Sequence, residues 1–200
     1  MGGVNDVGER HIIGMPETAR RWTAEMVRAL PDDGNRYEVI DGELFVTPAP
    51  RALHQRAVGE LFVRLWHYVR AAKAGEAMTS PADIEFREDR LVQPDIFVIT
   101  LRPGGRKVRE WQEIKSLVLA VEVLSPSTAR ADRQVKRRLY QEEPVGEYWI
   151  VDLDALVIER WRRGDQRPEV LSDRLAWQPV PSTPALEIDL PAFFRDVLDD

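Results

Sequence analysis

The stretch Leu117–Leu124 reads Leu-Val-Leu-Ala-Val-Glu-Val-Leu, apolar throughout but for one carboxylate. An apolar run of this length, stopped by Ser125-Pro126, has the pattern of a strand covered on both faces. Such a strand needs layers above and below it, which predicts an α/β domain with a mixed central sheet. Burying an unpaired carboxylate is costly, so Glu122 needs compensation. An ion pair with an arginine would supply it, as would a strand end that reaches water.

The rest of the chain supplies the layers. Trp22, Met26 and Leu30 recur at helical spacing behind a Thr23 cap, and Pro31 ends that short helix. Tyr37–Thr47 reads as a hairpin turned by Asp41-Gly42. His54–Ala72 carries Val58, Leu61, Phe62, Leu65, Trp66 and Val69, the spacing of a long amphipathic helix. Strands are expected at Ile84–Phe86 and Pro94–Thr100, and residues 102–115 read as a polar, basic loop. After the central strand, Ala129–Glu142 reads as a helix with Val135 and Leu139 inward. Glu147–Asp152 and Leu156–Arg162 read as a second hairpin. Further strands near Val170 and Leu186–Ile188 and a last helix, Pro191–Leu198, complete the chain. Residues 1–20 read as a flexible leader and 21–200 as one domain.

Composition excludes several classes. There is no cysteine, so disulfide scaffolds, cysteine zinc sites and cysteine nucleophiles are ruled out. No apolar run has membrane-spanning length and no signal-peptide core is visible, so a cytoplasmic protein is expected. The net charge of −6 argues against a general nucleic-acid coat. The basic residues are unevenly spread, however. Arg102, Arg106, Lys107, Arg109 and Lys115 fall in 102–115, and Arg130, Arg133, Lys136, Arg137 and Arg138 in 128–143. That pattern suits a phosphate-contacting rim on an acidic body, or equally a solvated helix face and loop.

Asp95 opens an apolar strand as Glu122 interrupts one. On paired strands, opposite side chains lie about 5 Å apart, so both carboxylates can face one point. Their repulsion raises one pKa, and a divalent cation between them removes it. Oxygen ligands suit Mg²⁺ or Mn²⁺. Lys136 shares a helix face with Asp132 and Tyr140 and sits near the rim of the core, able to reach over the strand end. His54 stands at the entry to the long helix, where it can orient a phosphate or water, or simply cap and pack. The plainer readings are a turn residue for Asp95 and a solvated Asp132 pair for Lys136.

Pro94-Asp95 followed by Glu122-Val-Leu resembles the PD-(D/E)XK nuclease signature without its final lysine, since position 124 is leucine. The wider match is to the Uma2 family of restriction-endonuclease-like proteins. It runs through Arg36-Tyr-Glu-Val-Ile-Asp-Gly-Glu-Leu44, Thr47-Pro-Ala-Pro50 with His54, and Gln93-Pro-Asp95. It continues through Val121-Glu-Val-Leu-Ser-Pro-Ser-Thr128, Asp132 with Lys136 and Tyr140, and Glu147-Tyr-Trp-Ile-Val-Asp152. The resemblance implies an αβββαβ core with extra C-terminal strands and a helix. Asp95 and Glu122 become metal ligands, Glu43 an added acidic ligand, and Lys136 the carrier of the displaced lysine function.

The expected activity is Mg²⁺-dependent hydrolysis of DNA, with Arg106, Lys107, Arg109, Arg130, Arg133 and Arg137 on the strand. A non-catalytic DNA-binding or assembly module on the same fold is the alternative. A metal-free acid/base hydrolase is a third. Trp161, Trp177, Phe193 and Phe194 pack either on the sheet or on a second copy, and a homodimer is expected.

Overall fold

A computed structural model of the chain describes residues 21–101 and 103–198, so the leader expected over 1–20 lies outside the described residues. In chain order the elements are α1 (Ala24–Arg28), β1 (Arg36–Ile40), β2 (Glu43–Thr47), α2 (Ala52–Ala71), β3 (Glu76–Thr79), β4 (Ile84–Arg87), β5 (Arg90–Val92) and β6 (Ile96–Ile99). They continue with β7 (Leu117–Val123), α3 (Ala129–Ala131), a π-helical turn (Asp132–Lys136), α4 (Arg137–Glu142), β8 (Val145–Asp152) and β9 (Val157–Arg162). The chain ends with β10 (Glu169–Leu171), β11 (Arg174–Trp177), β12 (Leu186–Asp189) and α5 (Leu190–Leu198).

The main sheet has six strands in the order β10-β9-β8-β7-β6-β3. β7 runs parallel to β8 and every other neighbour is antiparallel, so the sheet is mixed. Apolar β7 lies in its middle, as its composition requires. Two parallel neighbours need a crossover, and the helical segment from α3 to α4 provides it. The path α2, β3, β6, β7, helix, β8 is an αβββαβ core.

A second, four-stranded sheet in the order β2-β1-β5-β4 lies outside that core. Ile84–Phe86 belongs here rather than beside Asp95. β4 and β5 form a hairpin inserted between β3 and β6, and β5, only three residues long, gives little sign of itself in sequence. β1 and β2 meet at Asp41 and Gly42, which take positive φ of 53° and 82° as a tight hairpin demands.

One face of the main sheet packs on α2 and α5 through Leu61, Leu65, Val121, Trp149, Trp177 and Phe193. The other face meets the crossover helix and the second sheet through Ile40, Phe97, Ala120, Leu139 and Ile150. Trp161, Trp177, Phe193 and Phe194 are all within the protomer's own core. The apolar surface invoked for a dimer is therefore already used. No helix among the described residues is long and apolar enough to cross a membrane.

Arg90 ties the second sheet to the crossover helix. Buried on β5, it donates to Asp41 at 2.6 Å, to Glu143 at 2.7 Å and to Glu142 at 2.7 Å. The inward stripe of the crossover helix is Asp132, Lys136, Leu139 and Tyr140, while Val135 is only half-buried. The sequence expectation had favoured Val135 because it is apolar. Buried charge partners make the Lys136 stripe the inward one instead.

Removing the Leu61 side chain leaves a cavity between α2 and the sheet. Leu61→Ala is expected to cost about 2–5 kcal/mol. On the same helix, Val63 is 50% exposed. Val63→Ala is expected to stay within about 0.5 kcal/mol, both read by equilibrium urea unfolding.

Candidate active site

The site forms where β6 begins and β7 ends. Because the strands are antiparallel with Ile96 opposite Val121, Asp95 and Glu122 fall one register step further, side by side. The pairing inferred from sequence is thus realised. Both residues are buried, at 4% and 2% exposure.

The second sheet closes the site from above. A strand sends alternate residues to one face, so Arg36, Glu38 and Ile40 of β1 point toward the main sheet together. Ile40 enters the apolar layer. Arg36 Nη1 donates to Asp95 Oδ1 at 2.7 Å, and Glu38 Oε2 lies 2.8 Å from Lys136 Nζ. Glu38 Oε1 also accepts from the Gln93 backbone N–H at 2.7 Å.

The crossover helix supplies the remaining charge. Lys136 Nζ donates to Glu122 Oε1 at 2.9 Å, and Tyr140 Oη donates to the same oxygen at 3.2 Å. Asp132 Oδ1 stands 3.7 Å from the ammonium. Lys136 is therefore enclosed by three carboxylates and is buried, not rim-exposed.

Asp95 has its oxygens filled differently. Oδ2 accepts from the Val123 backbone N–H at 2.8 Å and pairs with His54 Nε2 at 3.0 Å. Burial raises its pKa, yet the His54 bond, the Arg36 guanidinium and the Val123 N–H outweigh that and bring it to about 2. Asp95 is thus ionised. Glu122 goes the opposite way. Burial lifts its carboxyl well above the usual range despite Lys136, helped by the charges of Asp95, Asp132 and Glu38. Asp132 is raised by burial too. Lys136 is held charged because Glu122, Glu38 and Asp132 overcome its own burial.

The cluster therefore has four buried carboxylates against two permanent cations, Arg36 and Lys136, with His54 alongside. Both oxygens of Asp132 are buried without a hydrogen-bond partner. Excess negative charge and hard oxygen donors fit a divalent cation in kind. Among the described residues, no three histidine, aspartate or glutamate side chains are gathered around one point as a ready coordination shell. Asp95 instead faces Arg36 and His54, while Glu38, Glu122 and Asp132 share Lys136.

A cavity of about 520 Å³ opens onto this cluster, with Asp95, Glu122 and Lys136 at its floor. Arg36, Arg51, His54, Ser125 and Asp154 lie along its walls.

Other sequence-based candidates are placed elsewhere. Glu43 is exposed at the start of β2, opposite Ile40, and is not part of the cluster. Glu43 shares the face of its partner Ile40, but it stands at the turn end of the edge strand β2, where it is exposed; the acid that reaches the site is Glu38 of β1. The basic segment 102–115 joins the far ends of β6 and β7. With Leu117 five residues before Glu122, Arg106, Lys107 and Arg109 are separated from the site by about 17 Å of strand. They do not adjoin it.

The crossover helix does adjoin it, but its arginines are engaged. Arg133 pairs with Asp152 and Glu159. Arg137 donates to Gln141 at 2.8 Å and stacks over Trp161 at 4.9 Å. Arg130 is exposed and reaches only Gln134, at 3.5 Å.

Arg36 and Glu38 are the members of the charged cluster that sequence reasoning passed over. Their signal is two charges at alternate positions of a strand whose next inward residue is apolar. Which face turns inward is set by the second sheet, and that was not visible.

An αβββαβ sheet with paired carboxylates at adjoining strand ends defines a protein of nuclease-like fold. The chain belongs to the Uma2 family, described as "Putative restriction endonuclease", whose model matches residues 24–191. It is similar to the crystal structure of "a putative nuclease belonging to DUF820" from Anabaena variabilis. The two chains share 20% identity and a TM-score of 0.70, over 88% of this chain and 98% of that one. At that identity the likeness speaks for the fold. No curated protein matches the chain.

Lys136 is the one ammonium between Glu38 and Glu122. Lys136→Met leaves two buried glutamates facing each other, and a loss of about 3–5 kcal/mol is expected near neutral pH. The deficit should shrink as the pH falls toward 5, because the unneutralised carboxyls then take up protons. Thermal melts of both proteins from pH 8 to pH 5 test this, and a constant gap would contradict it.

Proposed function

We propose that the protein is a divalent-metal-dependent endonuclease that hydrolyses DNA phosphodiester bonds. The observation that carries this is the meeting of Asp95 and Glu122 on neighbouring strands, with charged Lys136 against Glu122, at the floor of an open cavity. Membership of a family described as a restriction endonuclease supports the same reading.

Asp95 and Glu122 would hold Mg²⁺ or Mn²⁺, with Glu38 in place of the Glu43 expected from the resemblance. Bound there, the ion supplies Lewis-acid polarisation of a phosphoryl oxygen and lowers the pKa of a ligated water. The protein's own groups do the rest. His54 and the Val123 N–H hold the Asp95 carboxylate in place. Arg36 keeps Asp95 ionised, and it must release one oxygen for that carboxylate to act as ligand. Lys136, kept protonated, is a fixed positive charge for a phosphorane-like transition state rather than a proton acceptor. Tyr140 fixes Glu122 from behind.

With wild-type protein, plasmid and Mg²⁺, nicking or linearisation is expected. Asp95→Asn or Glu122→Gln should lower the rate by about 10²–10⁴-fold, with EDTA abolishing it. Equal cleavage by wild type and variants would end this reading.

Cation binding has a directional pH dependence. Burial raises the Glu122 and Asp132 carboxyls, so protons compete with the cation at lower pH. Mg²⁺ affinity by calorimetry should therefore rise between pH 6 and pH 8.

The saturation of Asp95 by Arg36, His54 and Val123 favours one alternative, a DNA-binding module that keeps the fold without catalysis. Intact DNA binding with no Mg²⁺ or Mn²⁺ heat at either pH selects it.

A further inference from the structure

The cavity lies at the carboxyl ends of β7 and β8, the one parallel pair among the described strands, where the two chains leave the sheet in different directions. β7 runs on through residues 124–128 into the crossover helix, and β8 turns back at residues 152–155 into β9. Together with the segment 47–50 that leads into α2, these turns wall the cavity. Much of the wall is apolar. Pro48, Pro50 and Leu53 line it from the α2 side, Leu124 and Pro126 from the end of β7, and Leu153 from the end of β8. Leu53 is 40% exposed.

The charges of this lining balance. Arg36, Arg51, Arg133 and Lys136 stand against Asp95, Glu122, Asp152 and Asp154. A surface that grips duplex DNA draws its affinity from an excess of lysine and arginine, and this lining has no excess. The carboxylates of the floor are also recessed, with Asp95 4% and Glu122 2% exposed. A duplex is stiff over about 150 base pairs, and each of its phosphates stands between neighbours on the same rigid helix. It cannot lower one phosphate to such a floor. An unpaired strand can, because its backbone bends and its bases splay out. Asp154 is exposed on the wall, and its carboxylate makes no ion pair or hydrogen bond among the described residues. It repels a phosphate but accepts from the N–H edge of a base. The volume of about 520 Å³ is of the size that encloses a small ligand such as one nucleotide.

We propose that the cavity receives a nucleotide of an unpaired strand, its phosphate at the carboxylate floor and its base against the apolar wall. The substrate is then single-stranded or locally opened DNA, and paired duplex is excluded. Supercoiled plasmid offers such sites where it opens transiently; relaxed linear duplex does not. That the strand is cut rests on the nuclease reading; the preference for an unpaired base does not.

The test compares one short DNA sequence as a single strand, as a fully paired duplex and as an abasic strand of equal length, which keeps the phosphates and lacks the bases. Binding to the full chain is read by fluorescence anisotropy in Ca²⁺, and cleavage by gel electrophoresis in Mg²⁺. The single strand should bind at least about tenfold more tightly than either other form, and it should be the form that is cut. Leu53→Ser, at an exposed position, should keep the melting temperature, weaken strand binding several-fold and narrow the gap to the abasic strand. Failure to bind the strand, equal affinity for strand and duplex, equal affinity for strand and abasic strand, or unchanged strand affinity in Leu53→Ser overturns the proposal. Equal cutting of strand and duplex overturns it and leaves the nuclease reading standing. Preferential strand binding with neither form cut leaves the proposal standing and removes the nuclease reading.

Discussion

The architecture around the site depends on one buried ammonium. Lys136 stands between Glu38 of the second sheet and Glu122 of the central sheet, 2.8 Å and 2.9 Å from their oxygens. It comes from the crossover segment, so three layers of the molecule meet at a single charge. Removing two glutamates from water is costly, and the ammonium between them is what makes the arrangement tolerable. Arg90 joins the same layers at a second point through Asp41, Glu142 and Glu143. The second sheet is thus held over the Asp95/Glu122 edge of the main sheet by ionic contacts as well as by apolar packing.

The charge balance of the site is uneven. Asp95 is overcompensated by a guanidinium, an imidazole and a backbone N–H. Glu122 and Asp132 are undercompensated, and burial drives their carboxyls up.

Local pattern was enough to read much of this. The Asp41-Gly42 hairpin, the α2 stripe and apolar β7 follow from periodicity and turn chemistry acting within a few residues, while the Asp95/Glu122 pairing follows from two carboxylates on strands expected to be neighbours. Lys136 was legible as a companion of Glu122, since both lie on one crossover. Glu38 was not, because choosing it over Glu43, which shares its face of the hairpin, requires knowing where the second sheet sits on the main one and that β2 is its edge. The basic segment 102–115 misled for a related reason. Nearness to β6 and β7 in sequence says nothing about which end of an antiparallel pair a connecting loop occupies.

The sequence by itself determined most of the elements, the buried central strand and the two carboxylates that had to be accounted for. Short-range sterics and the hydrophobic pattern leave little choice there. The tertiary structure alone decided which charges neutralise which. Arg36 to Asp95, Glu38 to Lys136 and Arg133 to Asp152 are contacts across 59, 98 and 19 positions of sequence. Electrostatic partners of that kind are selected by the packing of sheets against each other, and no local pattern encodes them.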